Sequence, residues 1–202
     1  AAAAIEEAVE ALQPGLDFDL GAVLRGDEGA RQLEGSAVVQ PALFALTLGM
    51  AAAWRARGVV AEAVVGHSQG EVAAAVLAGA LSVADGARVI LARSRLLERL
   101  GVRGAMASIA LPIAEIEALL VQHPGLTIAV VNTPESAVVA GEVAEVEALL
   151  AALAGVAFCR RVQIDYASHC GLVDPVLPEL AGALQGLRPR DGALVFVSSV
   201  DG

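Results

Sequence analysis

Residues 63–81 read AVVGHSQGEVAAAVLAGAL, and they put a serine where a short β-branched run gives way to a small-residue helix. Gly66, Ser68 and Gly70 fit G-x-S-x-G, a pattern that carries a nucleophile when it joins a strand to a helix. The two glycines permit a sharp turn and close approach of neighbouring backbone. Ser68 then stands at a helix N-terminus, where unpaired N–H groups and the positive dipole end stabilise a developing oxyanion. The backbone amide of Gln69 is the natural donor. The chemistry of this turn is attack on a carbonyl, although a serine in a glycine-rich turn can also be purely structural.

A serine nucleophile needs a base. Three histidines are available. His67 adjoins the serine and leaves the turn in another direction, which suits packing better than proton transfer. His123, at the end of a helical segment before Pro124, reads as a surface residue. His169, in DYASHC, is the candidate base by elimination and position; a structural histidine is the other reading. A hydrolase triad would add an acid between serine and base. Asp85, Glu142 and Asp165 are available but lack a motif context.

Arg93, Arg95 and Arg99 lie on one predicted helix, LARSRLLERL. Val89, Arg93, Leu96 and Leu97 share a face at helical spacing, so Arg93 points inward among apolar neighbours, while Arg95 and Arg99 share another face. An inward arginine pairs with a carboxylate. That carboxylate belongs either to the protein or to a substrate held by the guanidinium fork; spacing leaves both open.

The elements that must position these groups follow from periodicity. Residues 2–13 read as a helix ended by QPG. Residues 38–57 read as a long buried helix with Pro41 in its first turn and Gly58 as a C-terminal cap. A strand at 62–65 precedes Ser68, and the helix after it runs to about Ala78. Ser82 and Asp85 cap the next helix. Residues 104–164 then read βαββαβ, and AEIEALL (114–120) recurs as AEVEALL (144–150). Two similar helices in that order predict a ferredoxin-like subdomain. After it come DYASHC, a helix at about 172–187 and the strand ALVFVSS. The expected architecture is α/β: a parallel-sheet, α/β-hydrolase-like core from residues 1–103 and 165–202, with the small subdomain 104–164 inserted.

With 202 residues the chain is long enough for a core plus a subdomain. It is 56% hydrophobic, 3% aromatic and carries a net charge of -10. Such acidity argues against a broad nucleic-acid or anionic-membrane face. Cys159 and Cys170 show no metal-ligand spacing, read as free thiols in a reducing compartment, and no metal site is expected. No uncharged apolar run of membrane-spanning length is read; the longest, Pro41 to Trp54, stops at Arg55. No signal peptide is evident. The opening without Met and the ending on a strand and turn lead us to expect a piece of a longer polypeptide.

Several stretches, in order, resemble one family: VVQPALFAL, VVGHSQGEVAAA, GARVILARSRLL, AMASIAL, AVVNTPESAVVAG and VQIDYASHC. They are similar to the acyltransferase domains of modular polyketide synthases, relatives of malonyl-CoA:acyl-carrier-protein transacylases. The likeness starts past the family's GQG strand and stops before a further strand and helix. It implies that Ser68 is acylated and that His169 is the base and later the acid. Arg93 would hold the free carboxylate of an extender unit, Gln69 would supply an oxyanion amide, and Gln40 would lie near the acyl pocket. A carbonyl around Ser198 and Ser199 would steer the histidine. YASH, with Tyr166 and Ser168, and Gln69 after the serine resemble the methylmalonyl-loading type; malonyl-loading members show HAFH and an aliphatic residue after the serine. The resemblance further implies a cytoplasmic enzyme with no resident cofactor. Its substrate would be a CoA thioester. Its partners would be an acyl carrier protein bearing phosphopantetheine and neighbouring ketosynthase and linker domains. A malonyl-specific transferase and a serine thioesterase are the alternatives.

Overall fold

The computed structural model describes residues 1–100, 104–164 and 166–200. In chain order the elements are α1 (Ala2–Leu12), α2 (Leu20–Arg25), α3 (Ser36–Arg55), β1 (Ala63–Val65), α4 (Gly70–Ala78), α5 (Val83–Leu100), β2 (Ala105–Ile109), α6 (Ile113–Leu120), β3 (Leu126–Thr133), β4 (Ser136–Gly141), α7 (Val143–Ala152), β5 (Cys159–Arg161), α8 (Leu177–Ala183) and β6 (Val195–Val197). They form two compact units, Ala1–Leu96 with Leu180–Gly202, and Leu97–Glu179. The domain boundaries expected at 103 and 165 fall outside the described residues.

In the first unit, helices pack around Leu12, Leu20, Phe44, Ala45, Leu48, Ala73 and Ile90. The alanines let helix backbones approach closely, and the aliphatic side chains fill what remains. β1 and β6 pair in parallel, Val64 opposite Phe196. Ser82 caps α5 as expected: its Oγ accepts from the Asp85 amide at 3.0 Å and donates to Asp85 Oδ2 at 2.7 Å.

Three sequence expectations need correction here. α3 starts at Ser36, so Pro41 lies in its second turn rather than its first; its ring is fully buried, and that apolar burial offsets the missing N–H. Consequently α3 is long and apolar enough to span a membrane by length and composition, with half of that window buried. The apolar run expected to begin at Pro41 extends back through the uncharged stretch from Ser36 to Gln40. The helix expected at 172–187 is a 3-10 turn, Gly171–Val176, followed by the short α8. Pro175 cannot donate into an α-helical ladder, so the chain tightens before it. The sequence reading also passed over α2, which Asp19 caps through the Ala22 amide at 2.9 Å and Gly26 ends in the left-handed region.

The second unit has the order βαββαβ, with an antiparallel sheet ordered β3-β4-β2-β5. That is the ferredoxin-like arrangement the internal repeat predicted. Ile116 and Val146 hold the same place in the two repeats, and both are fully buried against the sheet. β2 alternates as a half-covered strand must. Ala105, Ala107 and Ile109 face the helices, and Met106 packs on the other side with Ala140 and Ala167.

Candidate active site

β1 ends at Val65 and α4 begins at Gly70, so GHSQ forms the elbow between them. The turn closes through Gly70 N to His67 O at 2.9 Å and Glu71 N to Ser68 O at 3.0 Å. A Cβ on Gly66 would lie inside the backbone of Gly70 and Glu71, so only glycine fits. Ser68 has φ 52°. A non-glycine residue there is strained by about 1–2 kcal/mol, and such strain concentrates where geometry serves function.

Beside the elbow, α3, α4 and α5 line a half-open pocket of about 180 Å³, with Leu43, Phe44, Ala73 and Ile90 in its wall and His67 and Gln69 at the turn. The Gln69 Oε1 atom is buried and has no hydrogen-bond partner. One helical turn from this lining, Arg93 Nη1 donates to Gln40 Oε1 at 2.7 Å. Two residues expected near the acyl group from separate motifs therefore meet. Arg93 is half-buried, and its partner is a neutral amide. No carboxylate of its own unit pairs with it among the described residues. A half-buried cation without a counterion favours an anionic ligand. The outer-face arginines behave differently: Arg95 Nη2 donates to the Gly15 carbonyl, and Arg99 pairs with Glu179 at 2.9 and 2.5 Å.

Sequence reasoning missed Glu71, in the first turn of α4. Its Oε1 accepts from the Ser199 amide at 2.6 Å, the Ser199 hydroxyl at 2.8 Å and the Ser198 hydroxyl at 3.4 Å. The Ser199 amide, followed by the two hydroxyls, holds the Glu71 carboxyl below its ordinary range against the opposing effect of burial. The only signal in the sequence was an acid three residues after the serine.

In the second unit, His169 has φ 56°. Ser68 and His169 are the only described non-glycine residues with positive φ. Beside His169, Ala167 is fully buried, and Ser168 donates to Met106 Sδ from its amide at 3.4 Å and its hydroxyl at 3.2 Å. Tyr166 is half-buried. His123, expected on the surface, is half-buried and contacts Glu145 Oε2 at 3.1 Å. His123 follows the end of α6, and Glu145 lies in the first turn of α7. Asp85 is committed to the α5 cap, Glu142 precedes α7, and Asp165 lies outside the described residues. Among the described residues no cluster of His, Cys, Asp or Glu could hold a metal.

A glycine-flanked serine elbow beside a parallel strand pair, in one chain with a ferredoxin-like unit, defines a mixed α/β fold. The chain belongs to the acyl transferase domain family, whose pattern matches residues 1–202. Among curated proteins it is 47% identical over 208 residues to polyketide synthase GfsE of Streptomyces halstedii, covering 100% of this chain and 6% of that protein. It thus spans a small fraction of the length of such relatives. Among solved structures, the acyltransferase domain from module 8 of the salinomycin polyketide synthase superposes with TM-score 0.94. That pair is 40% identical, covering 100% of this chain and 48% of the other. The malonyl CoA-acyl carrier protein transacylase of Coxiella burnetii gives TM-score 0.84 at 26% identity, covering 96% and 64%.

Proposed function

We propose that this acyltransferase domain loads a carboxylated extender unit, methylmalonyl in preference to malonyl, from CoA onto Ser68 and then onto the phosphopantetheine thiol of an acyl carrier protein. The observation that carries the reading is the shared strain. The residues expected to be nucleophile and base are the two described non-glycine residues held at positive φ.

In the first half-reaction Ser68 Oγ attacks the thioester carbonyl while His169 takes its proton. The C–O bond forms, the C–S bond breaks, and His169 returns the proton to the departing CoA thiolate. The Gln69 amide, at the head of α4, stabilises the oxyanion. In the second half the carrier thiol gives its proton to His169 and attacks the acyl-serine; the C–S bond forms, the ester C–O bond to Ser68 breaks, and His169 returns the proton to Ser68 Oγ. Arg93, set by Gln40, grips the extender carboxylate and orients the acyl group. Ser168 and Gln69 supply the methylmalonyl preference, and one methyl group is worth about 1–3 kcal/mol of discrimination. The enzyme works in the cytoplasm without a resident cofactor, beside ketosynthase and linker domains of a synthase.

The test is a single-turnover incubation with methylmalonyl-CoA, followed by addition of the carrier protein. An acyl-enzyme that persists and then passes to the carrier supports the reading. Prompt release of the free acid would instead make the protein a hydrolase.

A further inference from the structure

The helix that carries Ser68 at its head is held at both ends by one segment, residues 190–200. At the tail of α4, the Ala193 amide donates to Ala78 O at 2.6 Å, and Arg190 Nε donates to Gly79 O at 2.9 Å. At the head, Glu71 accepts the Ser199 amide and both serine hydroxyls. Ser198 Oγ also accepts from the Val200 amide at 3.0 Å, so the turn after β6 is braced internally as well. Between these two grips runs the parallel pairing of β1 with β6. Both strands leave the sheet in the same direction, one into the elbow and one into the Glu71-bound turn. The carboxylate is therefore the tie between the two segments beyond the strand ends, the edge where parallel α/β sheets place their chemistry.

We propose that Glu71 is a positioning residue that fixes the Ser68 elbow against the turn after β6. This rests on the acyl-transfer reading above. Losing the carboxylate releases the head of α4 while its tail grip and its packing remain. The expected consequence is a misplaced nucleophile and oxyanion amide rather than an unfolded domain. A shift of about 1 Å at a reacting group can cost on the order of a hundredfold in rate. Charge-assisted bonds are roughly twice as strong as neutral ones, so a neutral acceptor of the same shape should keep the tie at about half its strength, enough to hold the turn in place.

Rapid-quench acylation of the full-length protein by methylmalonyl-CoA separates these consequences. The burst amplitude counts competent Ser68 sites, and the rate constant reports their geometry. For Glu71→Ala we expect the rate constant to fall at least about tenfold, with amplitude and half-saturating CoA ester unchanged, and Glu71→Gln to recover to within about threefold of wild type. Glu71→Asp, which withdraws the carboxylate by one methylene, should also be slow and serves if the alanine variant does not fold. The proposal is overturned if the rate constant is unchanged, if only the amplitude falls, or if Gln is no faster than Ala. If wild type gives no burst, or Ser68→Ala still does, the acyl-transfer reading itself has failed.

Discussion

Replacing Ser68 with Ala and with Gly removes the same hydroxyl but tests the backbone in opposite directions. At an ordinary site Gly is less stable than Ala by about 0.5–1 kcal/mol, because it has more unfolded freedom to lose. Ser68 sits at φ 52°, where a Cβ costs about 1–2 kcal/mol. Subtracting the middle of the first range from the middle of the second leaves Gly ahead of Ala by about 0.75 kcal/mol, which for a chain of this size is a Tm difference of about 1.5–3 °C. Thermal unfolding of the two variants at equal concentration and pH measures the difference. Neither variant should form an acyl-enzyme. If Ala proves as stable as Gly or more so, the elbow is not strained and the strain argument for Ser68 collapses.

Arg93→Ala should raise KM for malonyl-type CoA esters by about tenfold or more, from loss of a charged hydrogen bond, while acetyl- or propionyl-CoA use rises relative to them; unchanged discrimination in competition kinetics would remove Arg93 from carboxylate binding. Gly66→Ala should fail to give folded, acylatable protein, because the new methyl overlaps the Gly70 and Glu71 backbone; near-normal circular dichroism and acylation would contradict the elbow geometry. The Glu71 carboxyl is held below its ordinary 4.5, so its stabilising bonds are fully present above that pH and are lost as pH falls through the lower folded value. Tm measured against pH should then drop more steeply below about pH 4.5 for wild type than for Glu71→Gln; parallel curves would show that the carboxylate contributes nothing.

Local signals carried much of this structure into the sequence. The elbow was legible because β-branched residues, glycines and a small-residue helix each demand their own backbone. The ferredoxin-like unit was legible because AEIEALL and AEVEALL bury equivalent residues, Ile116 and Val146. Arg93 was legible from helical spacing, and the unanswered question of its carboxylate narrowed once its protein contact proved to be Gln40. What failed to show were couplings across the chain. Glu71 and Ser199 are 128 residues apart, and no periodicity links them. Nothing in the sequence links Met106 to Ser168, although its sulfur accepts two bonds from that residue. Pro175 falls within the helix expected at about 172–187, and its missing donor leaves a 3-10 turn there.

The most direct test of acyl transfer through Ser68 is mass spectrometry of the protein after brief exposure to equal concentrations of malonyl-CoA and methylmalonyl-CoA. The account predicts a single acyl group on the peptide containing Ser68, predominantly methylmalonyl, and none in Ser68→Ala. An adduct that survives in Ser68→Ala, or free acid with no adduct at all, would contradict it.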